Sequence, residues 1–359
     1  MRASKKKEFF DGRDKYLSFV NSTNEKSRIA FKISSYLKYS KIQDKAFRIL
    51  DAGTGEGTII STFLCAVHQK FPEEPISVIG KEISIDDINN LLSFLGDRFY
   101  EHKNLIFSIT NASYEDIQKQ DNHNIKFINK ELSGNTSFEF AKQLMSMSNM
   151  IKKNWELTNM PGSNRLIPKQ KIILNIYRKD QRRACSHLIP KKITDLPNNF
   201  DLIIASQAFR LRSSYDRTFK ILIRPLLSML AKNGQTFLIF ASGIDFSTKI
   251  LKHYFPKLKP YQFSNPEKFS ELIKKSYKSI SIKKTSFKYG FVNLSLNHDK
   301  GFSLMSLMGL WNAVTYVGQI ADSEMSKIQL NKAFFNKLEM ICKNSKLEFK
   351  NHFLRIVKK

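Results

Sequence analysis

Residues 47–61 read FRILDAGTGEGTIIS, and this stretch decides the fold of the chain. Apolar residues lead into Asp51, and glycines then occupy every second position, at Gly53, Gly55 and Gly57. A turn with so little side chain lets the backbone come close to a ligand. The pattern therefore predicts a buried strand, a glycine-rich binding turn and a helix directly after it.

Apolar strands continue to alternate with helical segments after this turn. A helix predicted over 84–99 has a regular apolar stripe, with Ser84 as its N-cap. Strands that alternate with helices favour a parallel sheet covered on both faces. The further strands predicted from short apolar runs are 76–84, 104–110, 200–206 and 235–242.

The carboxylate of Asp51 separates two classes of nucleotide-binding turn. A dinucleotide fold uses G-x-G-x-x-G and places a pyrophosphate at the start of the helix. Here the spacing is G-x-G-x-G, and a carboxylate ends the strand. A negative side chain at this point would repel a pyrophosphate, so the sequence favours a cationic ligand group there.

The segment DAGTGEG resembles the first motif of the class I S-adenosylmethionine-dependent methyltransferases, an acid-x-G-x-G-x-G. The resemblance covers roughly residues 46–116 and 198–242. It implies a Rossmann-like, seven-stranded, mostly parallel sheet whose last hairpin is antiparallel, with helices on both faces. It also implies that Asp51 lies near the amino-acid portion of S-adenosylmethionine. The residues that would surround the body of this cofactor are Ala52, Gly53, Thr54, Gly55 and Gly57.

Later strand ends supply the rest of the implied cofactor site. Glu82, followed by Ile83, ends the second strand, where a carboxylate can accept both ribose hydroxyls; dinucleotide folds use such a residue as well. The resemblance places two residues after the third strand beside the adenine, and two after the fourth strand beside the methyl group. These four residues are Asn111, Ala112, Ser206 and Gln207.

The sequence identifies no strong catalytic residue. A sulfonium methyl is already activated, so positioning of the acceptor can supply most of the catalysis. Tyr16 is the best candidate, because N-terminal segments of the resembled family often fold over the cofactor. No metal site is predicted, since Cys and His residues are not spaced as ligands. Each histidine is a weak candidate base: His68, His102, His123, His187, His253, His298 and His352.

Four regions follow from this organisation. We expect an N-terminal helical cap over 1–45 and the two halves of the methyltransferase core over 46–116 and 200–359. The segment 117–199 between them is a basic insertion, interpreted as a lid or recognition element or else as a surface elaboration. The segment LEFKNHFLRIVKK ends the chain as a predicted final strand.

A net charge of +27 has two interpretations that the sequence leaves open. It is typical of proteins that bind polyanions, and aromatic residues alternate with basic ones in SSYLKYSK. It is equally typical of the Lys-, Asn- and Ile-rich composition that an AT-rich genome produces. Three widely spaced cysteines and the lack of a long apolar run favour a cytoplasmic protein without a signal peptide or transmembrane helix.

The leading functional hypothesis is methyl transfer from S-adenosylmethionine to a small or medium metabolite. The first alternative is methylation of RNA or of a protein bound through the basic surface. It is weakened because the residues after the fourth strand lack the Asn/Asp-Pro-Pro-aromatic stretch that clamps a flipped base. A second alternative is a non-catalytic binding or scaffold protein with the same fold.

Overall fold

A computed structural model of the protein describes residues 13–120, 124–162, 166–209, 213–256, 265–292 and 301–359. The helices are α1 (Arg13–Ser22), α2 (Glu25–Ser34), α3 (Thr58–Lys70), α4 (Ile85–Glu101), α5 (Tyr114–Lys119), α6 (Ser137–Met145), α7 (Ser148–Asn154), α8 (Tyr215–Thr218), α9 (Arg224–Ser228), α10 (Phe246–Tyr254), α11 (Pro266–Ser276), α12 (Leu304–Val317), α13 (Asp322–Met325) and α14 (Lys332–Lys343). The strands are β1 (Phe47–Ala52), β2 (Ile76–Lys81), β3 (Leu105–Thr110), β4 (Ile125–Leu132), β5 (Leu157–Asn159), β6 (Leu166–Pro168), β7 (Lys171–Arg178), β8 (Phe200–Ser206), β9 (Leu230–Ala241), β10 (Ile280–Gly290) and β11 (Glu348–Lys358).

One sheet of nine strands runs through the described residues, in the order β10-β11-β9-β8-β1-β2-β3-β7-β4. The five adjacent strands β9, β8, β1, β2 and β3 are parallel to one another. β11 lies between β9 and β10 and is antiparallel to both. This mostly parallel sheet with an antiparallel last hairpin confirms the Rossmann-like fold expected from the sequence. β5 and β6 form a separate two-stranded sheet.

The strand count corrects the expected seven, because the insertion 117–199 joins the sheet. β7 pairs antiparallel with β3, and β4 pairs parallel with β7 at the edge. α6 of the same insertion packs against α4, where Gly96 lies so close to Ala141 that an added Cβ would approach its Cβ to 2.9 Å. The insertion is therefore part of the central sheet and of one helical layer.

Side chains of the central strands alternate between two large apolar clusters, one on each face of the sheet. On β1, Phe47 and Ile49 point into the layer that contains α2, α3, α4 and α6. Leu50 and Ala52 point into the opposite layer, which contains α9, α10, α12 and α14. Because both faces are covered, the central strands are buried along nearly their whole length.

The N-terminal helices lie on different faces of the sheet. α2 packs on α3, with Ile29 and Ile33 fully buried, whereas α1 packs on α12 of the opposite layer. The chain therefore crosses the carboxyl end of the sheet between α1 and α2. Among the described residues, none of the helices combines the length and apolar character needed to cross a membrane.

Two features predicted from local sequence signals are present, the start of α4 and the final strand. The Ser84 side chain accepts a hydrogen bond from the Asp87 amide, so the predicted N-cap of α4 is present. The predicted final strand is β11, which forms the antiparallel pairs with β9 and β10.

Candidate functional site

The glycine-rich turn joins β1 to α3 and has left-handed backbone at all three glycines. The φ angles of Gly53, Gly55 and Gly57 are +109°, +58° and +92°. A Cβ on Gly57 would lie 2.6 Å from Leu91 Cδ1 and 3.0 Å from Leu91 Cα, so this glycine permits α4 to pack on the turn. A Cβ on Gly55 would meet the Tyr16 hydroxyl at 3.0 Å, so this glycine faces the side covered by α1.

Asp51 lies at the carboxyl end of β1 and is only 2% exposed. Its Oδ2 has no hydrogen-bond partner among the described residues. Burial raises the pKa of Asp51 to about 7, and the nearby Glu82 and Glu56 carboxylates add to the rise while Lys26 opposes it. A buried carboxylate oxygen without a partner is costly, and a cationic ligand group would remove that cost.

Glu82 connects the end of β2 to the glycine-rich turn. Its Oε2 accepts a hydrogen bond from the Gly55 amide at 2.9 Å. Its Oε1 accepts from the Ile83 and Ser84 amides at 2.7 and 2.8 Å. Because a carboxylate oxygen has two acceptor positions, Oε2 retains one for a ligand hydroxyl. Burial raises the pKa of Glu82, with the charge of Asp87 adding to it.

The turn is also held to β2 by its backbone. The Thr54 amide donates to the Lys81 carbonyl at 3.0 Å, and the Thr54 hydroxyl donates to the Asp51 carbonyl at 3.4 Å. Ala52 is fully buried in the sheet. These contacts hold Asp51, the glycine-rich turn and Glu82 together at the carboxyl edge of the sheet, as the sequence predicted.

Asn111 and Ala112 follow β3 at the same edge and are buried. The Asn111 side chain already has two partners, because its Oδ1 accepts from the Ile172 amide at 2.8 Å and its Nδ2 donates to the Gln170 carbonyl at 3.0 Å. The amide of Asn111 thus ties the end of β3 to the start of β7. A role beside an adenine stays a prediction for both residues.

Ser206 ends β8 on the other side of β1, and Gln207 directly follows it. Ser206 Oγ is buried and has no partner among the residues that the structure describes. Gln207 has a positive φ of 51°, and its Nε2 donates to Glu25 Oε1 at 3.0 Å. The same oxygen accepts from Asn351 Nδ2 at 2.7 Å, so the predicted pair lies beside α2 and β11.

Tyr16 of α1 lies over the glycine-rich turn. Its hydroxyl donates to Glu56 Oε2, and its ring centroid lies 5.3 Å from that of Tyr316 on α12. Burial raises the pKa of the Tyr16 hydroxyl well above its ordinary value, and the Glu56 charge adds to this rise. Tyr16 is therefore a neutral hydrogen-bond donor at the site, and its catalytic role stays a prediction.

The structure adds residues that the sequence analysis did not identify. Lys26 of α2 interacts electrostatically with Glu56, Glu25 and Asp51. Burial lowers the pKa of Lys26, but Glu56 and Glu25 outweigh burial and raise it overall. Of these residues, only Glu56 could have been identified from the local sequence, because it is a charged residue between two glycines of the motif. Glu25 and Lys26 precede the turn by about 30 positions, so only the tertiary fold brings them to it.

His68 on α3 and His102, directly after α4, lie away from this edge. His68 is in the last turn of α3, roughly 15 Å along the helix from the glycine-rich turn. Burial lowers its pKa to about 3, and its ring centroid lies 4.8 Å from that of His102, with the two rings tilted by 35°. Both rings therefore stay neutral parts of the packing. His123 and His298 lie outside the described residues.

No family model matches the sequence, and no curated protein is significantly similar to it. Among solved structures, the chain is similar to a Listeria monocytogenes protein described as a class I S-adenosylmethionine-dependent methyltransferase, with 10% identity and a TM-score of 0.31, over 71% of this chain and 52% of that one. It is also similar to phosphoethanolamine N-methyltransferase 2 of Haemonchus contortus, with 12% identity and a TM-score of 0.36, over 100% of this chain and 61% of that one. A third similar structure is an S-adenosylmethionine-dependent methyltransferase of Archaeoglobus fulgidus, with 12% identity and a TM-score of 0.33, over 93% and 95% of the two chains.

The chain spans about half of the Listeria protein and about three fifths of the Haemonchus enzyme. All three TM-scores are below 0.5, so these likenesses carry no functional conclusion. What the site can do follows instead from the strand order of the chain and from the side chains at the carboxyl edge of its sheet.

Proposed function

We propose that the protein is an S-adenosylmethionine-dependent methyltransferase. The observation that carries this proposal is the unpartnered, buried Oδ2 of Asp51 beside the glycine-rich turn. A carboxylate there attracts the ammonium of the cofactor's amino-acid portion and repels the pyrophosphate of a dinucleotide. The strand order and the antiparallel last hairpin support the same class.

The remaining residues of the edge fit the parts of this cofactor. Gly53 and Gly55 leave backbone space, and Glu82 Oε2 retains an acceptor position for a ribose hydroxyl. By the resemblance, Asn111 and Ala112 would adjoin the adenine. Bound S-adenosylmethionine supplies an activated methyl group on a sulfonium. The chain itself contributes by binding, orienting and excluding water from that group.

We further propose that the acceptor is a small or medium metabolite. Tyr16 and Tyr316 cover the turn, so an acceptor must fit beneath α1 and α12. The carboxylates around the turn also oppose the entry of a phosphate backbone. These features support a compact, non-polyanionic acceptor at the site.

RNA remains a second candidate because of one surface feature. The Arg355 guanidinium lies 5.0 Å from the Tyr36 ring centroid and 4.8 Å from that of Tyr39, which is 55% exposed. Stacked aromatic and guanidinium groups of this kind are typical of surfaces that bind single strands. If RNA is the acceptor through about six phosphate contacts, raising salt from about 50 to about 200 mM should lower the affinity of the protein for RNA about a thousandfold. In that case Tyr39→Leu should also lower methyl transfer to RNA. If methyl groups are transferred only to metabolites and the transfer does not respond to this salt change, RNA is excluded as the acceptor.

Isothermal calorimetry tests the cofactor assignment directly. We expect binding of S-adenosylmethionine and S-adenosylhomocysteine, and no comparable binding of NAD. Gly55→Val should abolish binding, because its side chain would fill space at the turn and meet the Tyr16 hydroxyl. Unchanged cofactor binding by a folded Gly55→Val protein, or a preference for NAD, would refute the assignment.

A further inference from the structure

The charge around the glycine-rich turn is opposite to that of the whole chain. The chain has 59 Lys and Arg residues against 32 Asp and Glu residues. At the turn, however, buried carboxylates interact with one another and with Lys26. The net charge of this cluster is negative even after Lys26 is counted. Its five acidic residues are Glu25, Asp51, Glu56, Glu82 and Asp87.

Two fully buried oxygens of this acidic cluster have no hydrogen-bond partner among the described residues, and they belong to different residues. One is Asp51 Oδ2, assigned above to the ammonium of the cofactor. The other is Glu56 Oε1; Glu56 is 5% exposed, its second oxygen accepts from Tyr16, and the Thr58 side chain also interacts with its carboxylate. Since an unpartnered buried carboxylate oxygen is costly, Glu56 offers an acceptor position to a second ligand group.

The surroundings of Glu56 already stabilise an ammonium. Lys26 Nζ lies 5.6 Å from the centroid of the Tyr16 ring, within the range of a cation–π interaction. Burial lowers the pKa of Lys26, yet Glu56 and Glu25 raise it overall, so the ammonium stays charged. The ring of Tyr316 lies next to that of Tyr16 and adds a second aromatic face. An alkylammonium from a substrate would meet the same carboxylates and rings.

We propose that the methyl acceptor is a primary or secondary amine, bound as its ammonium by Glu56 and by the rings of Tyr16 and Tyr316. This inference rests on the proposed function and specifies its substrate class. It follows from the unpartnered oxygen of Glu56 and from the aromatic rings beside it. A phosphate-bearing or carboxylate-bearing group at this position would instead be repelled by the acidic cluster.

The reaction balances with the amine and the methyl donor alone. The bound ammonium first releases one proton to water, which leaves a lone pair on nitrogen. The lone pair forms the new nitrogen–carbon bond, and the sulfur–methyl bond breaks with its electron pair returning to sulfur. The products are the methylated ammonium and neutral S-adenosylhomocysteine. Glu56 stabilises the ammonium before the proton leaves and again after transfer.

A chemical blocking experiment decides between an amine and other acceptors. The purified full-length protein is incubated with methyl-labelled S-adenosylmethionine and the small-molecule fraction of a cell extract. A second portion of that fraction is first acetylated and then treated with hydroxylamine, which frees esters but leaves N-acetyl groups. We expect label in the untreated fraction and its loss in the N-acetylated one. Undiminished label after acetylation would overturn the amine proposal while leaving methyl transfer intact.

The variant Glu56→Gln tests the binding group itself, with Glu271→Gln as a matched control on the exposed face of α11. Removing one charge-assisted hydrogen bond should raise the half-saturating concentration of the extract about tenfold or more. Cofactor affinity measured by calorimetry should change far less, and Glu271→Gln should change neither quantity. Tyr316→Leu provides a second variant and should raise the same half-saturating concentration. If both site variants leave it unchanged in folded protein, the assignment of Glu56 is wrong. If cofactor binds but no fraction is labelled, the proposed methyl transfer itself fails.

Discussion

The indole nitrogen of Trp155 donates a hydrogen bond to the main-chain carbonyl of Glu82 at 3.0 Å. Trp155 belongs to the basic insertion and is fully buried, whereas Glu82 directly follows β2 beside the glycine-rich turn. The insertion therefore supports the proposed cofactor site from behind.

Trp155→Phe should weaken both stability and cofactor binding. The change removes a buried hydrogen bond and leaves part of the indole volume empty, which costs about 1–3 kcal/mol of unfolding free energy. Cofactor affinity should fall as well, because Glu82 loses a contact that orients it. Trp311→Phe, at a buried tryptophan of α12, is the control and should lower only stability. Urea unfolding and calorimetry measure the two quantities; equal affinity in both variants would contradict this role of Trp155.

Glu82→Gln should also affect two properties at once. Gln replaces one carboxylate oxygen by an amide NH2, which cannot accept, so the side chain loses either the hydrogen bond from Gly55 or those from Ile83 and Ser84. Cofactor affinity should fall roughly 30-fold or more, for a loss of about 2–4 kcal/mol. The melting temperature of the cofactor-free protein should fall too.

Asp201→Asn provides the comparison for Glu82→Gln. Asp201 is a buried carboxyl at the amino end of β8, where it accepts a hydrogen bond from the Arg48 amide at 2.9 Å. Replacing the Asp201 carboxyl by an amide should lower the stability of the protein without changing its affinity for the cofactor. A loss of affinity in Asp201→Asn as large as in Glu82→Gln would mean that both variants act only through stability.

Cofactor binding should release a proton from Asp51. Its pKa is about 7 in the folded protein because burial disfavours the carboxylate, whereas the unfolded value is near 3.8. Between these values the folded state holds a proton that the unfolded state has lost, so Asp51 lowers stability as the pH rises from about 4 to about 7. A cationic group of the cofactor would favour the carboxylate and expel that proton.

Calorimetry in buffers of different ionisation enthalpy measures this proton release. We expect close to one proton released at about pH 6 and almost none at about pH 8. Asp51→Asn should abolish the difference between the buffers and weaken binding. A wild-type protein that takes up protons on binding at about pH 6 would contradict a cationic group at Asp51.

Alanine at Gly57 and at Gly55 should have different consequences. A Cβ at Gly57 would collide with the main chain and side chain of Leu91, and the φ of +92° is unfavourable for alanine, so Gly57→Ala should lose several kcal/mol of stability, on the order of 3. A Cβ at Gly55 would meet only the end of Tyr16, at a φ of +58°. Gly55→Ala should therefore lose only about 1 kcal/mol and mainly weaken cofactor binding. Denaturation and calorimetry on both variants test this, and equal stabilities would show that Leu91 can move away.

Local sequence signals were sufficient for much of the fold and part of the site. The buried strands, the cap at Ser84 and the glycine-rich turn follow from hydrophobic periodicity, a hydrogen-bonding side chain and the lack of a Cβ. The motif that contains Asp51 and the glycines is one continuous stretch, so its residues lie together in any fold that forms the turn. The sequence also predicted that Glu82 lies near this turn, because parallel strands present their carboxyl ends at one edge of the sheet.

Only the tertiary structure decided which distant residues complete that edge. Glu56 meets Tyr16 across 40 positions, Trp155 meets Glu82 across 73, and Asn351 meets Glu25 across 326. No periodicity or propensity encodes such pairs, because they depend on how helices and strands pack after they form. The sequence by itself therefore determined the central parallel strands and the glycine-rich turn, and it predicted a cationic ligand group at Asp51. The placement of the insertion in the sheet and the acidic, aromatic surroundings of Glu56 were determined by long-range packing.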